Sequence, residues 1–266
     1  MWQSTYYVQF QPPPAAMQHA ASYRLGAPVA EYKYRALRMI VSASITSVAG
    51  IFLLALYIMN PLGSASFADD SQSTLVWGLI GVAFLAIAVW LFIKTFLDRG
   101  SHVYVFNEGM LRMGSRMVAI RWDSVESVWQ SVTRRYTNGI YTGTRHMYTV
   151  RQWDGTKTVF NDQIKNVEAL GNTIARETLR ILLPRVIEAY RAGSTITFGP
   201  LSVSQQGVSN GKELLPWYQI KGIEIQRGTV MVKKEGKRLN WSSVRVPQIP
   251  NFFVFNALVD HVITAK

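Results

Sequence analysis

The chain has no cysteine among its 266 residues. That excludes a disulfide scaffold, thiolate metal sites and a cysteine nucleophile, and leaves the compartment open. Histidine is nearly as scarce. His19, His102, His146 and His261 lie far apart, and no pair has the i, i+4 spacing of a helical metal site. No metal and no cofactor is expected. Acidic residues number 16 against 28 Lys and Arg. Asp123 and Glu126 follow Trp122 closely, but no second carboxylate cluster complements them for general acid–base work. The GxxxxGKS/T phosphate loop and the GxSxG nucleophile elbow are both missing, and Gly109 and Gly114 lack the helix that would follow a phosphate-binding turn. These absences argue against an enzyme.

What is present is divided sharply. The long apolar runs fall between Met39 and Ile93, and the chain after Asp98 is an ordinary soluble mixture, long enough to bury its own core. The net charge of +12 sits mostly in this second part. A basic domain tied to a membrane senses the negative potential of anionic lipid. The same charge attracts nucleic acid in general, but nothing else here points to that partner, and none is expected.

Two runs, Met39–Met59 and Thr74–Ile93, carry no charge. Each has about 20 residues, which at ~1.5 Å rise spans the ~30 Å hydrocarbon core. A signal peptide does not fit, because the first run begins deep in the chain and a second follows. Asn60, Pro61 and Gly63 stop the first helix, and Tyr57, Trp77 and Trp90 lie where aromatic side chains meet headgroups. Lys33, Arg35 and Arg38 precede the first span and Lys94 and Arg99 follow the second, whereas the loop between them holds Asp69 and Asp70 and no basic residue. The positive-inside rule places both termini in the cytoplasm and makes the chain a multi-pass protein of the cell (inner) membrane. Ser42, Thr46 and Gly50 form a small-residue stripe on which a helix can pack closely, either within the hairpin or between copies. The oligomeric state stays open.

Residues 1–35 sustain no apolar periodicity and hold Pro12, Pro13 and Pro14. They read as a mostly disordered cytoplasmic arm whose Trp2, Tyr6, Tyr7 and Phe10 are free for a partner or the membrane surface. The membrane hairpin then occupies 36–97.

The soluble part holds a weak internal duplication. Val105–Gly109 resembles Val203–Gly207, and Trp122, Val125 and Val128 share the spacing of Trp217, Ile220 and Ile223. Asp154-Gly155 corresponds to Glu235-Gly236, and Gln163–Val167 to Gln248–Phe252. In each copy short alternating runs, such as Val103–Phe106 and Thr229–Val232, are separated by turn dipeptides. A helix closes each copy. The first runs from near Lys165 to about Ala192, kinked or divided by Pro184, and the second from about Asn251, a plausible N-cap, to Thr264. The copies occupy 100–192 and 193–266, and residues 100–266 are expected to fold without the membrane segments.

On Val105–Gly109 with Arg121-Trp122-Asp123, the Tyr136–Gly143 stretch, Phe198–Leu201, and Leu215–Trp217 with Ile249–Phe253, the soluble region resembles the tandem pleckstrin-homology-like domains of bacterial membrane proteins of uncharacterised function. The resemblance implies an α+β membrane protein: a two-helix transmembrane hairpin followed by two pleckstrin-homology-like modules, each made of antiparallel strands closed by a helix. It implies lipid or protein binding rather than catalysis.

From Trp122 to Gly155 the first copy is 14 residues longer than the second copy from Trp217 to Gly236. The excess surrounds Arg134, Arg135, Tyr136, Tyr141, Arg145 and His146, with Asn138-Gly139 as a tight-turn signal. These six residues are the candidate contact surface on an extended hairpin, suited to anionic headgroups or to a protein. A second basic tip, Lys233–Arg238, reads as an edge kept soluble by charge. Two functional classes follow. One is a membrane-anchored binding or scaffold protein facing a protein partner or the anionic bilayer. The other is a subunit of a homo-oligomeric channel or transport complex, against which stand the short inter-helix loop and two spans with no polar face.

Overall fold

The computed structural model describes residues 11–59, 71–98, 101–114 and 117–264. The expected helix stop at Asn60–Gly63, the acidic pair Asp69 and Asp70, Arg99 and the aromatics Trp2, Tyr6, Tyr7 and Phe10 lie outside them. The chain forms two compact units. One takes in the chain up to Tyr32, Val105–Leu111 and Ala119–Lys266; the other is Lys33–Tyr104 with Arg112–Val118.

The second unit is dominated by two apolar helices, α2 (Ala36–Met59) and α3 (Ser71–Asp98). Both are long and apolar enough to cross a membrane. Most of their apolar side chains stand exposed, Ile45, Val48 and Leu79 among them. Of the small-residue stripe only Gly50 is buried in this pair, where a Cβ would stand 3.0 Å from Leu85 and 3.2 Å from the carbonyl of Gly81, whereas Ser42 is exposed. Ala43 and Ala88 are buried with it.

The strands fall into four antiparallel-type sheets arranged as a twice-repeated pattern. First come β1 (Pro28–Lys33), β2 (His102–Phe106), β3 (Gly109–Met113) and β4 (Val118–Arg121), in that order across one sheet. A three-stranded sheet of β5 (Val125–Thr137), β6 (Ile140–Gln152) and β7 (Lys157–Asn161) follows, then helix α4 (Val167–Arg191). The pattern returns as β8 (Ile196–Phe198), β9 (Leu201–Ser204), β10 (Gly207–Ser209) and β11 (Leu214–Pro216) in one sheet. The next sheet holds β12 (Ile220–Gln226), β13 (Thr229–Lys234) and β14 (Asn240–Arg245), and α5 (Phe252–Thr264) ends the repeat.

The duplication has a common set of bonds. Trp122 and Trp217 each open a single 3-10 turn. Each indole donates to the carbonyl of a matched strand residue, Phe106 at 3.4 Å and Ser204 at 2.9 Å. Their backbone N–H groups donate to the matched turn carbonyls of Glu108 and Gln206. Gly109 and Gly207 are required at one point of close approach. A Cβ there would run into the carbonyl oxygens of Ile120 and Leu215, which no rotamer change relieves.

Three expectations change. The arm is not disordered throughout: α1 (Pro14–Ser22) and β1 lie within it. Leu25 is fully buried, Asn107 N–H donates to Ala27, Glu108 N–H donates to Leu25, and the Arg121 guanidinium donates to the carbonyls of Tyr23 and Arg24. Periodicity missed this because nine residues of helix bury only Ala16 and Ala20. The first sheet of residues 100–266 takes its first strand from residues 28–33, before the helical pair.

Pro184 does not divide α4, which runs unbroken from Val167 to Arg191. Its first half buries Val167, Leu170 and Ile174, whereas Leu182 joins the core of the second repeat, with Leu179, Val186 and Tyr190 against it. Asn251 stands at the N-cap position, its carbonyl accepting from Val254 and Phe255 N–H, but its side chain does not cap α5. It takes a left-handed φ of 52° and turns its side chain to β5, accepting from Val128 N–H at 2.9 Å and donating to the Glu126 carbonyl at 2.9 Å. A bifunctional amide satisfies both an edge donor and an edge acceptor, which a helix cap would leave bare.

Candidate functional site

The extended hairpin forms. β5 and β6 have 13 residues each, against 7 and 6 for β12 and β13. The apex is a two-residue turn with Asn138 at φ 50° and Gly139 at φ 80°, the conformation that Asn-Gly favours because its twist matches the strands. Pairing runs from Val125 opposite Gln152 to Thr137 opposite Ile140, with irregularities between Val125 and Ser127 and between Arg135 and Tyr136, where Gly143 has φ 141°.

Register and alternation distribute the six candidate residues over two faces. Val128, Val150 and Tyr148 face the core, so Val132, Arg134, His146 and Thr144 continue that face. Tyr136 and Tyr141 pair across the strands, ring centroids 5.8 Å apart and edge to face, and the Tyr141 hydroxyl lies 2.7 Å from Thr144 Oγ1. Arg135 and Arg145 belong to the opposite face. The six therefore do not make one flat surface. The period-2 alternation was readable from the sequence; the register that applies it was not.

His146 is held at the base of the hairpin by Asp162. Asp162 accepts from its backbone N–H at 3.1 Å and lies 3.2 Å from its Nδ1. This holds the imidazole half-buried at the edge of β6. No sequence signal paired these two residues. Arg134, Arg135 and Arg145 take part in none of the ion pairs among the described residues. No carboxylate occurs between Glu126 and Asp154. The tip adds one residue that charge reasoning overlooked: Ile140 is 70% exposed, beside Tyr136 at 60% and Tyr141 at 54%.

At the other end of the hairpin the electrostatics are structural. The Arg121 guanidinium, hydrogen-bonded to both carboxylate oxygens of Asp123 at 3.0 and 2.8 Å, holds that carboxyl below its ordinary range. Burial pushes the Tyr148 phenol up, helped by the negative charges of Glu168 and Asp162. The second basic tip is partly neutralised, since Lys233 pairs with Glu224 at 2.6 Å. Among the described residues no group of three His, Asp or Glu stands close enough to hold a metal ion.

One cleft, of about 290 Å³, lies on the β5–β6–β7 sheet. It is lined by Trp129, Gln130, Ser131, Met147, Thr149, Lys157 and Pro247.

A family model described as "Family of unknown function (DUF6585)" matches residues 1–266, which takes in the N-terminal segment, the helical pair and both repeats. The chain belongs to this family. No curated protein and no solved structure matches it. The family description assigns no chemistry, so the function has to be argued from the hairpin.

Proposed function

We propose that this member of the family is a membrane-anchored binding protein: α2 and α3 span the inner membrane with both termini in the cytoplasm. The two repeats are pleckstrin-homology-like modules, and the long β5–β6 hairpin contacts the anionic bilayer surface. The module reading is supported by the four-strand sheet, three-strand sheet and closing helix found twice. The observation that carries the contact reading is the apex. Three unpaired arginines on both faces surround exposed Ile140, Tyr136 and Tyr141, with no carboxylate in that part of the chain. A surface met side-on engages one set of arginines, whereas a surface met by the apex engages all three. Tyrosines prefer the headgroup layer, and each basic residue near an anionic bilayer contributes about 1 kcal/mol.

The natural lack of cysteine makes the test clean. The full chain carrying Ile140→Cys, labelled with an environment-sensitive fluorophore and placed in nanodiscs, is expected to shift to the blue in anionic but not in zwitterionic lipid. Salt should reverse the shift. Changing Arg134, Arg135 and Arg145 to Ala should weaken the contact equilibrium by roughly two orders of magnitude. Identical spectra in the two lipids remove the bilayer as the partner.

Orientation is checked separately. A cysteine at Ser66 is expected to react with an impermeant reagent on intact cells, and one at Ser194 to be protected. The reverse pattern inverts the topology drawn from the Lys and Arg asymmetry.

A further inference from the structure

The β5 edge has a bonding pattern that the hairpin's lipid role does not use. β5 lies at the end of its sheet. At Val128 its outward N–H and C=O are both occupied by Asn251, whose side-chain oxygen accepts at 2.9 Å and whose backbone N–H donates at 2.8 Å. Outward groups recur every second residue, and no pairing irregularity intervenes before Arg135. The next outward positions are therefore Gln130, Val132 and Arg134. Among the described residues none of these backbone groups bonds to anything. The opposite edge is finished differently, since Asp162 covers the outward N–H of His146.

Two further observations mark the same place. The side-chain oxygen of Gln130 is buried and has no hydrogen-bond partner. The cleft of about 290 Å³ opens beside it, with apolar walls from Trp129, Met147 and Pro247 and with Lys157 among its lining residues.

We infer that the β5 edge from Gln130 to Arg134 is a docking site for an extended, acidic segment of a partner protein, which adds to the sheet as a fourth strand. Main-chain bonds to the outward groups supply affinity, and a side chain seated in the cleft supplies register. The charge decides the occupant. A second copy would bring two arginine-bearing strands with no carboxylate between Glu126 and Asp154 to one edge, and like charges across a strand pair oppose pairing. A strand with carboxylates meets Arg134 instead, and an acidic side chain seated in the cleft meets Lys157. Asn251 already shows the edge accepting such bonds at Val128, and it fixes where the site begins.

The test uses the full chain in detergent and a fluorescein-labelled peptide of alternating valine and glutamate. Saturable binding is expected. Val132→Pro removes one outward N–H and leaves the β5–β6 ladder intact, because proline is tolerated where the N–H faces away from the sheet. It should weaken binding about tenfold, the equivalent of one main-chain bond at an edge. Alternate N-methylation of the peptide should do the same with no change to the protein, and replacing its glutamates by lysine should abolish binding. The Ile140 lipid signal should survive Val132→Pro, so the two readings fail separately. Absence of saturable binding, or equal binding by the N-methylated peptide, overturns the inference. Self-association that Val132→Pro abolishes would give the edge to a second copy and overturn it as well.

Discussion

Truncating the chain after Pro250 is expected to unfold the second repeat. The lost helix, α5, buries Phe252, Val254, Phe255, Leu258, Val259 and Val262, each under a tenth exposed. At ~1.5–3 kcal/mol for each large apolar side chain these amount to roughly 9–18 kcal/mol, as much as the whole stability of a typical domain at ~5–15 kcal/mol. Phe255 also stacks edge to face on Phe198 of β8, with centroids 5.4 Å apart. Hydrogen exchange on the full and truncated chains in detergent reads the result. Protection across β8–β14 should vanish. The first repeat should lose protection at Val128, where Asn251 leaves the β5 edge bare, and keep it at Val150. Leu258→Ala alone should cost ~2–5 kcal/mol through transfer and cavity terms. Undiminished protection in β8–β14 after truncation would contradict the repeat architecture.

The second large effect concerns how the helical pair is inserted. Tyr34 N–H donates to the carbonyl of Ser101 at 3.4 Å, so the chain leaves and re-enters the first sheet at neighbouring residues. Replacing residues 35–100 by Asn-Gly, the preferred two-residue hairpin turn, is therefore expected to yield a water-soluble protein that unfolds cooperatively. Residues 100–266 alone should not behave this way. They lack β1 and the fully buried Leu25, and Arg121 loses its two carbonyl acceptors, Tyr23 and Arg24, keeping only Asp123. That leaves a bare sheet edge and an unfilled core position. Chemical denaturation of the two proteins should give one sharp transition for the first, and for the second a shallow slope or aggregation, since the slope follows the surface exposed on unfolding. Equal transitions would show that the N-terminal segment is dispensable to the fold.

Much of this protein is local physics, and the sequence by itself determined that part. Uncharged runs of bilayer length make two apolar helices whatever surrounds them, because helices satisfy their own backbone. Asn138-Gly139 makes a tight turn because both residues tolerate positive φ, and the 14 extra residues around it had to become longer strands. The duplication was visible because matched tryptophans and glycines fill the same contacts twice. Tertiary structure alone decided the rest. β1 is six residues with no alternation in burial, and it becomes a strand only because β2 pairs with it from the far side of the helical pair. Asn251 looked like a cap from its neighbours in sequence but bonds 123 residues away. The pairing of His146 with Asp162 was equally invisible in the sequence. The arginines around the apex divide between two faces by register. The free edge at Gln130 and Val132 exists only because Asn251 stops at Val128. Each of these depends on which strand lies beside which, and hydrogen-bond pairing between distant segments leaves no periodic trace in either one.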